Sequence, residues 1–235
     1  MSNGFLEVPI SGGNSSRRKV EICHVDGRFF ALKSDSAYLE TEARVFLQRS
    51  SNSEDVTSSE NPQQKSWQFN SNLCPILAEL VAVLVEFGYA DVFRIQKTSD
   101  SESREDSEAP STSSRRGEIL EKKKKALRME EIPFEDSREF RTKRLVVRDF
   151  WKKGYYLTDG TRFGGHYLVY TSSPNECHAA FVLLCTPVTD EERISAMRCC
   201  NQVKKTLILA TTSSGATQPY YTKCEWFRPE MFIQN

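Results

Sequence analysis

Short apolar runs alternate with polar and turn-forming stretches along the chain, and their spacing predicts a mixed succession of strands and helices. Lys19–His24 and Phe29–Lys33 are two β-prone runs on either side of Val25-Asp26-Gly27-Arg28. An Asp-Gly pair between such runs predicts a hairpin, because the two-residue turn needs positive φ at both positions. Asp35–Gln48 carries Tyr38, Ala43, Phe46 and Leu47 and reads as a helix. Cys74–Tyr89 reads as a second helix, with Pro75 in its first turn and Gly88 at its stop. Its Leu77, Leu80, Val81, Leu84, Val85 and Phe87 leave little polar surface, so burial is expected. Ala90–Ile95 then predicts a strand.

The C-terminal half is denser in pattern. Arg144–Lys153 predicts a helix with Leu145, Val146, Phe150 and Trp151 toward one side, ended by Gly154. Tyr155–Leu157, a turn at Asp159-Gly160 and Phe163–Tyr170 predict paired strands. His178–Cys185 predicts a strand, Glu191–Gln202 a helix, Thr206–Ala210 a strand and Tyr220–Trp226 a last strand. The fold class is therefore α/β of the α+β kind, a central mixed sheet with helices packed on it.

Residues 1–97 read as a small N-terminal mixed α/β domain with a Ser-rich loop near 50–66, and residues 144–235 as the C-terminal domain. Thr98–Ser114 holds Asp100, Glu102, Glu105, Asp106 and Glu108 among serines, so 98–117 reads as a charged, acidic linker that buries too little apolar surface to order. Residues 118–143 read as a connecting basic helix. Its Lys122–Lys125 is either a solvated helix face or a contact for a phosphate backbone or acidic partner.

Composition narrows the functional classes. The 235 residues carry 32 Lys+Arg and 32 Asp+Glu, a formal charge of zero, which argues against a polybasic nucleic-acid coat. The longest apolar stretch, Ile76–Phe87, contains Glu79 and Glu86 and is too short to span a bilayer. Met1–Pro9 has no basic and apolar regions of a secretory signal. Seven scattered cysteines (23, 74, 177, 185, 199, 200 and 224) form no C-x-x-C pair, so they are expected as reduced, half-buried thiols of an intracellular protein, with a structural zinc site as the lesser alternative.

Candidate chemistry is sparse. G-x-S-x-G, the phosphate-cradling G-x-x-x-x-G-K-[ST] and H-E-x-x-H are all absent. Of three histidines, His24 lies in the hairpin and reads as structural or surface, and His166 after Gly164-Gly165 reads as an exposed strand residue. His178 differs. It follows Pro174-Asn175-Glu176-Cys177 at the start of a strand, where a side chain is accessible yet held by a rigid element.

Phe150-Trp151-Lys152-Lys153-Gly154-Tyr155-Tyr156-Leu157, then Arg162-Phe163-Gly164-Gly165-His166-Tyr167-Leu168-Val169-Tyr170, then Pro174, His178-Ala179 and Val203-Lys204-Lys205-Thr206-Leu207 together resemble the tRNA-splicing endonuclease family. Within it the stretch from about 144 to 227 is similar to the catalytic subunit that cuts the 3′ splice site. The resemblance implies a restriction-endonuclease-like catalytic domain. It places the catalytic Tyr on Tyr170, the His on His178 and the Lys on Lys205, and the Arg and Trp that hold a flipped base on Arg198 and Trp226. It implies no cofactor and no metal, a pre-tRNA substrate and a nuclear location. It also implies a heterotetramer with three other subunits: a paralogous 5′-site catalytic subunit and two structural ones. Two positions depart from the family pattern. Ser173 stands where an Asp is common before the loop proline, and Lys204 where an Arg is common, so either Lys204 or Lys205 can be the inward lysine.

The residue types suit that chemistry. Cleavage without a metal requires the 2′-hydroxyl to lose a proton and the 5′-oxygen to gain one, and a His exchanges protons near pH 7. A Lys supplies fixed charge where negative charge develops. The expected ends are a 2′,3′-cyclic phosphate and a 5′-hydroxyl, and DNA, lacking the 2′-hydroxyl, is not a substrate. Two other readings compete: a non-catalytic architectural subunit of the same assembly, and an RNA-binding module that does not cut.

Overall fold

The computed structural model describes residues 18–47, 72–95 and 124–226. The Ser-rich loop, the acidic linker, Lys122 and Lys123 lie outside the described residues. Asp26 and Gly27 take positive φ (46° and 77°) and join β1 (Val20–Val25) to β2 (Arg28–Leu32), as their chemistry predicts. A 3-10 turn then leads into α1 (Ser36–Thr41). The helix expected over Asp35–Gln48 is thus cut to six residues. Arg44 at φ 51° breaks the helical path, and Ala43, Val45 and Leu47 instead carry a non-helical segment into the core.

Leu73–Ile76 form β3 rather than the first turn of a helix. Pro75 is compatible with this because β3 is the edge of its sheet, where a missing N–H need break no ladder bond. The helix itself, α2, covers only Ala78–Glu86. β4 (Ala90–Ile95) runs parallel to β1, and β5 (Lys124–Leu127) pairs antiparallel with β4. The lysine run expected on a helix therefore ends in a strand: lysine is a good helix former, but the ladder with β4 satisfies this backbone instead. The first sheet has the order β3-β2-β1-β4-β5.

α3 (Arg138–Lys152) begins at Arg138 rather than Arg144, because Ser137 caps it by accepting a hydrogen bond from Phe140 N at 3.0 Å. The second sheet follows: β6 (Tyr156–Asp159), β7 (Tyr167–Tyr170), β8 (Phe181–Cys185), β9 (Thr206–Thr211) and β10 (Tyr220–Cys224), in the order β10-β9-β8-β7-β6. Only β8 and β9 are parallel, and α4 (Asp190–Gln202) makes the crossover between them. The mixed α/β class read from the pattern holds, with two mixed sheets flanked by helices. No described helix is long and apolar enough to cross a membrane.

α2 and α3 are the hinge of the packing. One buried cluster takes Leu80, Val81 and Leu84 from α2, Val146, Val147 and Trp151 from α3, and residues from both sheets. Trp151 is 2% exposed, its indole N–H donates to Ala43 O at 2.6 Å, and the Arg44 guanidinium lies 4.9 Å from its ring. Truncating a buried Trp typically costs about 3–5 kcal/mol. Glu86 of α2 accepts from Arg144 (3.2 Å) and Arg148 (2.6 Å) of α3 at the edge of this contact.

Gly164-Gly165 earns its place by close approach. A Cβ on Gly165 would sit 2.3 Å from Val182 Cγ1 and 2.8 Å from Leu183 O, and Gly164 has φ 73° with Ala196 Cα 3.2 Å from where its Cβ would be. Gly165→Ala is expected to destabilise the protein by about 1–3 kcal/mol through overpacking against β8. For a chain of this size that lowers Tm by roughly 2–4 °C per kcal/mol. An unchanged Tm would contradict the packing.

Candidate active site

Strand register gathers most of the chemistry at one end of the second sheet. Val169, Phe181 and Thr206 form one rung across β7, β8 and β9. Tyr170 lies one residue beyond that rung, Lys205 one residue before it, and the loop carrying His178 leads directly into Phe181. The neighbouring rung is Leu168, Val182 and Leu207, whose side chains pack under Ala196 and Cys200 of α4. Because side chains alternate along a strand, Tyr170 shares the face of Leu168, and Lys205 that of Leu207. Both therefore belong to the α4 side of the sheet, where Tyr170 packs against the same apolar cluster.

The end of α4 decides between the two lysines. Lys204 N–H donates to Asn201 O at 3.4 Å and Lys205 N–H to Cys200 O at 2.9 Å, the paired bonds of a Schellman ending. Lys204 sits in its left-handed position at φ 53°, usually a glycine, and is exposed. Lys205 is half-buried, and its ammonium donates to Ala179 O at 2.9 Å and lies 6.0 Å from the Phe163 ring centroid. The lysine that reaches the residue beside His178 is thus Lys205.

His178 is exposed, in a loop that its own backbone shapes. Ser173 O accepts from Glu176 N (2.8 Å) and Cys177 N (3.2 Å), and Ser173 Oγ accepts from Asn175 N (3.3 Å). Ala180 N donates to Val169 O at 2.8 Å, closing the loop beside Tyr170. The strand expected from His178 begins only at Phe181 for this reason. Thr158 Oγ1 lies 3.5 Å from the Tyr170 phenol oxygen, across the β6–β7 pair.

Arg198 and Trp226 also meet. The guanidinium carbon is 6.0 Å from the indole centroid, the outer reach of a cation–π contact, and Trp226 is 41% exposed. A cleft of about 220 Å³ runs from Lys205 and Thr206 to Glu225 and Trp226. The lysine and the tryptophan thus line one concavity, with Arg198 at its side.

The other histidines are not part of this site. His166 departs from the exposed strand residue expected of it. It lies in the bend before β7, half-buried, where Nδ1 accepts from Cys185 N at 2.9 Å and burial lowers its pKa, with the Lys143 charge adding to the effect. His24 stands in β1 with its ring 5.0 Å from Phe29, and burial lowers its pKa as well. All seven cysteines are free thiols. Burial pushes Cys185 up to about 12 and Cys200 to about 11, so both stay protonated and unreactive. Among the described residues no group of three His, Cys, Asp or Glu is placed to hold a metal ion.

Sequence reasoning missed the neighbours that hold the site: Thr158 near Tyr170, Phe163 near Lys205, and Glu40 of α1, whose carboxylate accepts from the Ser173 hydroxyl and the Asn175 amide. No local signal could have found Glu40, which lies 133 residues from Ser173.

A mixed sheet that brings a phenol, an ammonium and an exposed imidazole loop to one end, beside a guanidinium–indole pair, defines an α/β protein with the side-chain types of phosphodiester chemistry. Residues 140–220 match the model of the tRNA intron endonuclease catalytic C-terminal domain, and this stretch is similar to proteins of the tRNA-splicing endonuclease family. It is 32% identical over 85 residues to the tRNA-splicing endonuclease subunit Sen34 of Mus musculus, covering 34% of this chain and 27% of that protein. The Sen34 subunit of Homo sapiens is 31% identical over the same shares. The tRNA-splicing endonuclease of Thermococcus gammatolerans is 30% identical over 93 residues, 38% of this chain and 54% of that protein. The similarity thus spans about a quarter of the mammalian relatives and about half of the archaeal one.

Proposed function

We propose that the chain is the catalytic subunit of a tRNA-splicing endonuclease that cuts pre-tRNA at the 3′ splice site. The observation that carries this reading is the shared rung of β7, β8 and β9, which sets Tyr170, the His178 loop and Lys205 at one sheet end, with Lys205 Nζ 2.9 Å from Ala179 O. Tyr170 orients the 2′-hydroxyl and takes its proton as O2′ bonds to phosphorus. His178 gives a proton to the departing 5′-oxygen as the P–O5′ bond breaks. Lys205 stabilises the extra charge on the phosphorane-like transition state. No metal enters this scheme, and the products are a 2′,3′-cyclic phosphate and a 5′-hydroxyl.

Arg198 and Trp226 hold a base splayed out at the cut, sandwiched between guanidinium and indole. Each stacked base contributes roughly 1–3 kcal/mol. With a net charge of zero, the chain has little to hold a whole tRNA by phosphate contacts alone. The remainder of the binding falls to three other subunits in a nuclear heterotetramer, a 5′-site catalytic paralogue and two structural ones. β10, the sheet edge with Tyr220 70% exposed, is the edge suited to pairing with one of them.

The test is cleavage of an intron-containing pre-tRNA by the four-subunit complex in excess EDTA, with product ends mapped chemically. A second substrate carries one 2′-deoxynucleotide at the 3′ splice site. The expected result is undiminished cutting in EDTA, cyclic-phosphate and 5′-hydroxyl ends, and loss of only the 3′ cut with the deoxy substrate. Ends bearing a 3′-hydroxyl and a 5′-phosphate, or cutting that EDTA stops, would reject the mechanism.

A further inference from the structure

We propose that Glu40 is a positioning residue for the 3′ cut, a staple from the first sheet's helix α1 that fixes the loop carrying His178. The inference rests on the reading of His178 as catalytic. Glu40 Oε1 accepts from both the Ser173 hydroxyl and, at 3.3 Å, the Asn175 amide. Ser173 is also the knot of the loop, since its carbonyl takes the N–H groups of Glu176 and Cys177. One carboxylate thus anchors the turn that ends at His178.

Glu40 is itself rigidly held. Leu39 beside it is fully buried, and the Tyr156 hydroxyl donates to Glu40 O at 3.1 Å. Tyr156 is the cross-strand partner of Tyr170. Three residues on, Ala43 O takes the Trp151 indole N–H at 2.6 Å, which pins this segment to the end of α3. Glu40 therefore bonds through its backbone to the strand beside Tyr170 and through its side chain to the loop of His178. It supplies to the loop, from a distant element, a carboxylate where the chain itself has only Ser173.

Charge argues that this contact has a purpose. A carboxylate close to a polyanionic substrate repels it, so removing a merely incidental Glu40 would strengthen RNA binding and leave or raise the rate. A staple predicts the opposite sign for the rate. Misplacing a catalytic group by about 1 Å can cost 10²-fold.

The experiment uses the assembled four-subunit complex and intron-containing pre-tRNA under single-turnover conditions at saturating enzyme. Glu40→Ala is expected to slow the 3′ cut roughly 10–100-fold, with the 5′ cut and subunit assembly unchanged and RNA binding unchanged or tighter. Glu40→Gln keeps the acceptor oxygen while removing the charge, and retains most of the rate. Ser173→Ala, at a half-buried loop position, removes one of the two hydrogen bonds to Glu40 and is expected to reproduce most of the Glu40→Ala defect, with Tm as the folding control. The double variant is slower than Glu40→Ala by much less than the product of the two single effects, as for partners in one network. A His178→Ala complex runs alongside. Full 3′ rate in His178→Ala overturns the catalytic reading of the loop and this inference with it. Loss there, with full rate in Glu40→Ala and Ser173→Ala or with effects that simply multiply in the double variant, overturns the inference alone.

Discussion

His178→Ala is expected to slow the 3′ cut by about 10²–10⁴-fold, the usual contribution of a positioned acid or base, while the 5′ cut keeps its wild-type rate. The selectivity follows from where the three histidines lie. His166 spends Nδ1 on Cys185 N and is held neutral by burial, and His24 stands in the other sheet. Only His178 is exposed at the end of the sheet that also holds Tyr170 and Lys205. Because its side chain is outside the core, truncation should leave the fold intact, so Tm and subunit assembly serve as controls. The measurement is the single-turnover rate at each splice site in the reconstituted complex. A full rate at the 3′ site would move this chain to an architectural role and the active site to another subunit.

The second large effect separates two adjacent lysines. Lys205→Met should lower the 3′ cut by about 10²–10³-fold, the scale on which a preorganised charge-stabilising group acts. Lys204→Gly should leave that rate essentially unchanged and raise Tm. Lys204 holds a left-handed backbone at φ 53°, which costs a non-glycine residue roughly 1–2 kcal/mol. Lys205, one position on, points its ammonium to Ala179 O beneath α4. Rates and melting curves of the two variants, taken together, check both statements. A large loss in Lys204→Gly with none in Lys205→Met would reverse the assignment.

Local chemistry wrote several elements legibly. The Asp26-Gly27 hairpin, the stop of α3 at Gly154 and the short apolar strands of the second sheet each depend on a few neighbouring residues whose φ preferences or continuous apolar runs leave little choice. The family resemblance, carried by contiguous motifs, singles out Tyr170, His178 and Lys205 as the expected catalytic set.

What only the tertiary structure decided has long-range partners. Leu73–Ile76 is a strand because β2 offers it a ladder, and Lys124–Leu127 because β4 does, although both stretches suit a helix locally. Lys205 rather than Lys204 reaches Ala179 O because the end of α4 places Lys204 in the left-handed turn and β9 sets the parity of the next residue. Glu40 joins the loop of His178 because Trp151 and Tyr156 hold its segment against the second sheet, a contact between residues more than a hundred positions apart. Sequence by itself fixes what depends on neighbouring φ preferences and side-chain period. Pairing, burial and the geometry of the site arise from contacts whose loop-closure cost is met only when the whole core forms.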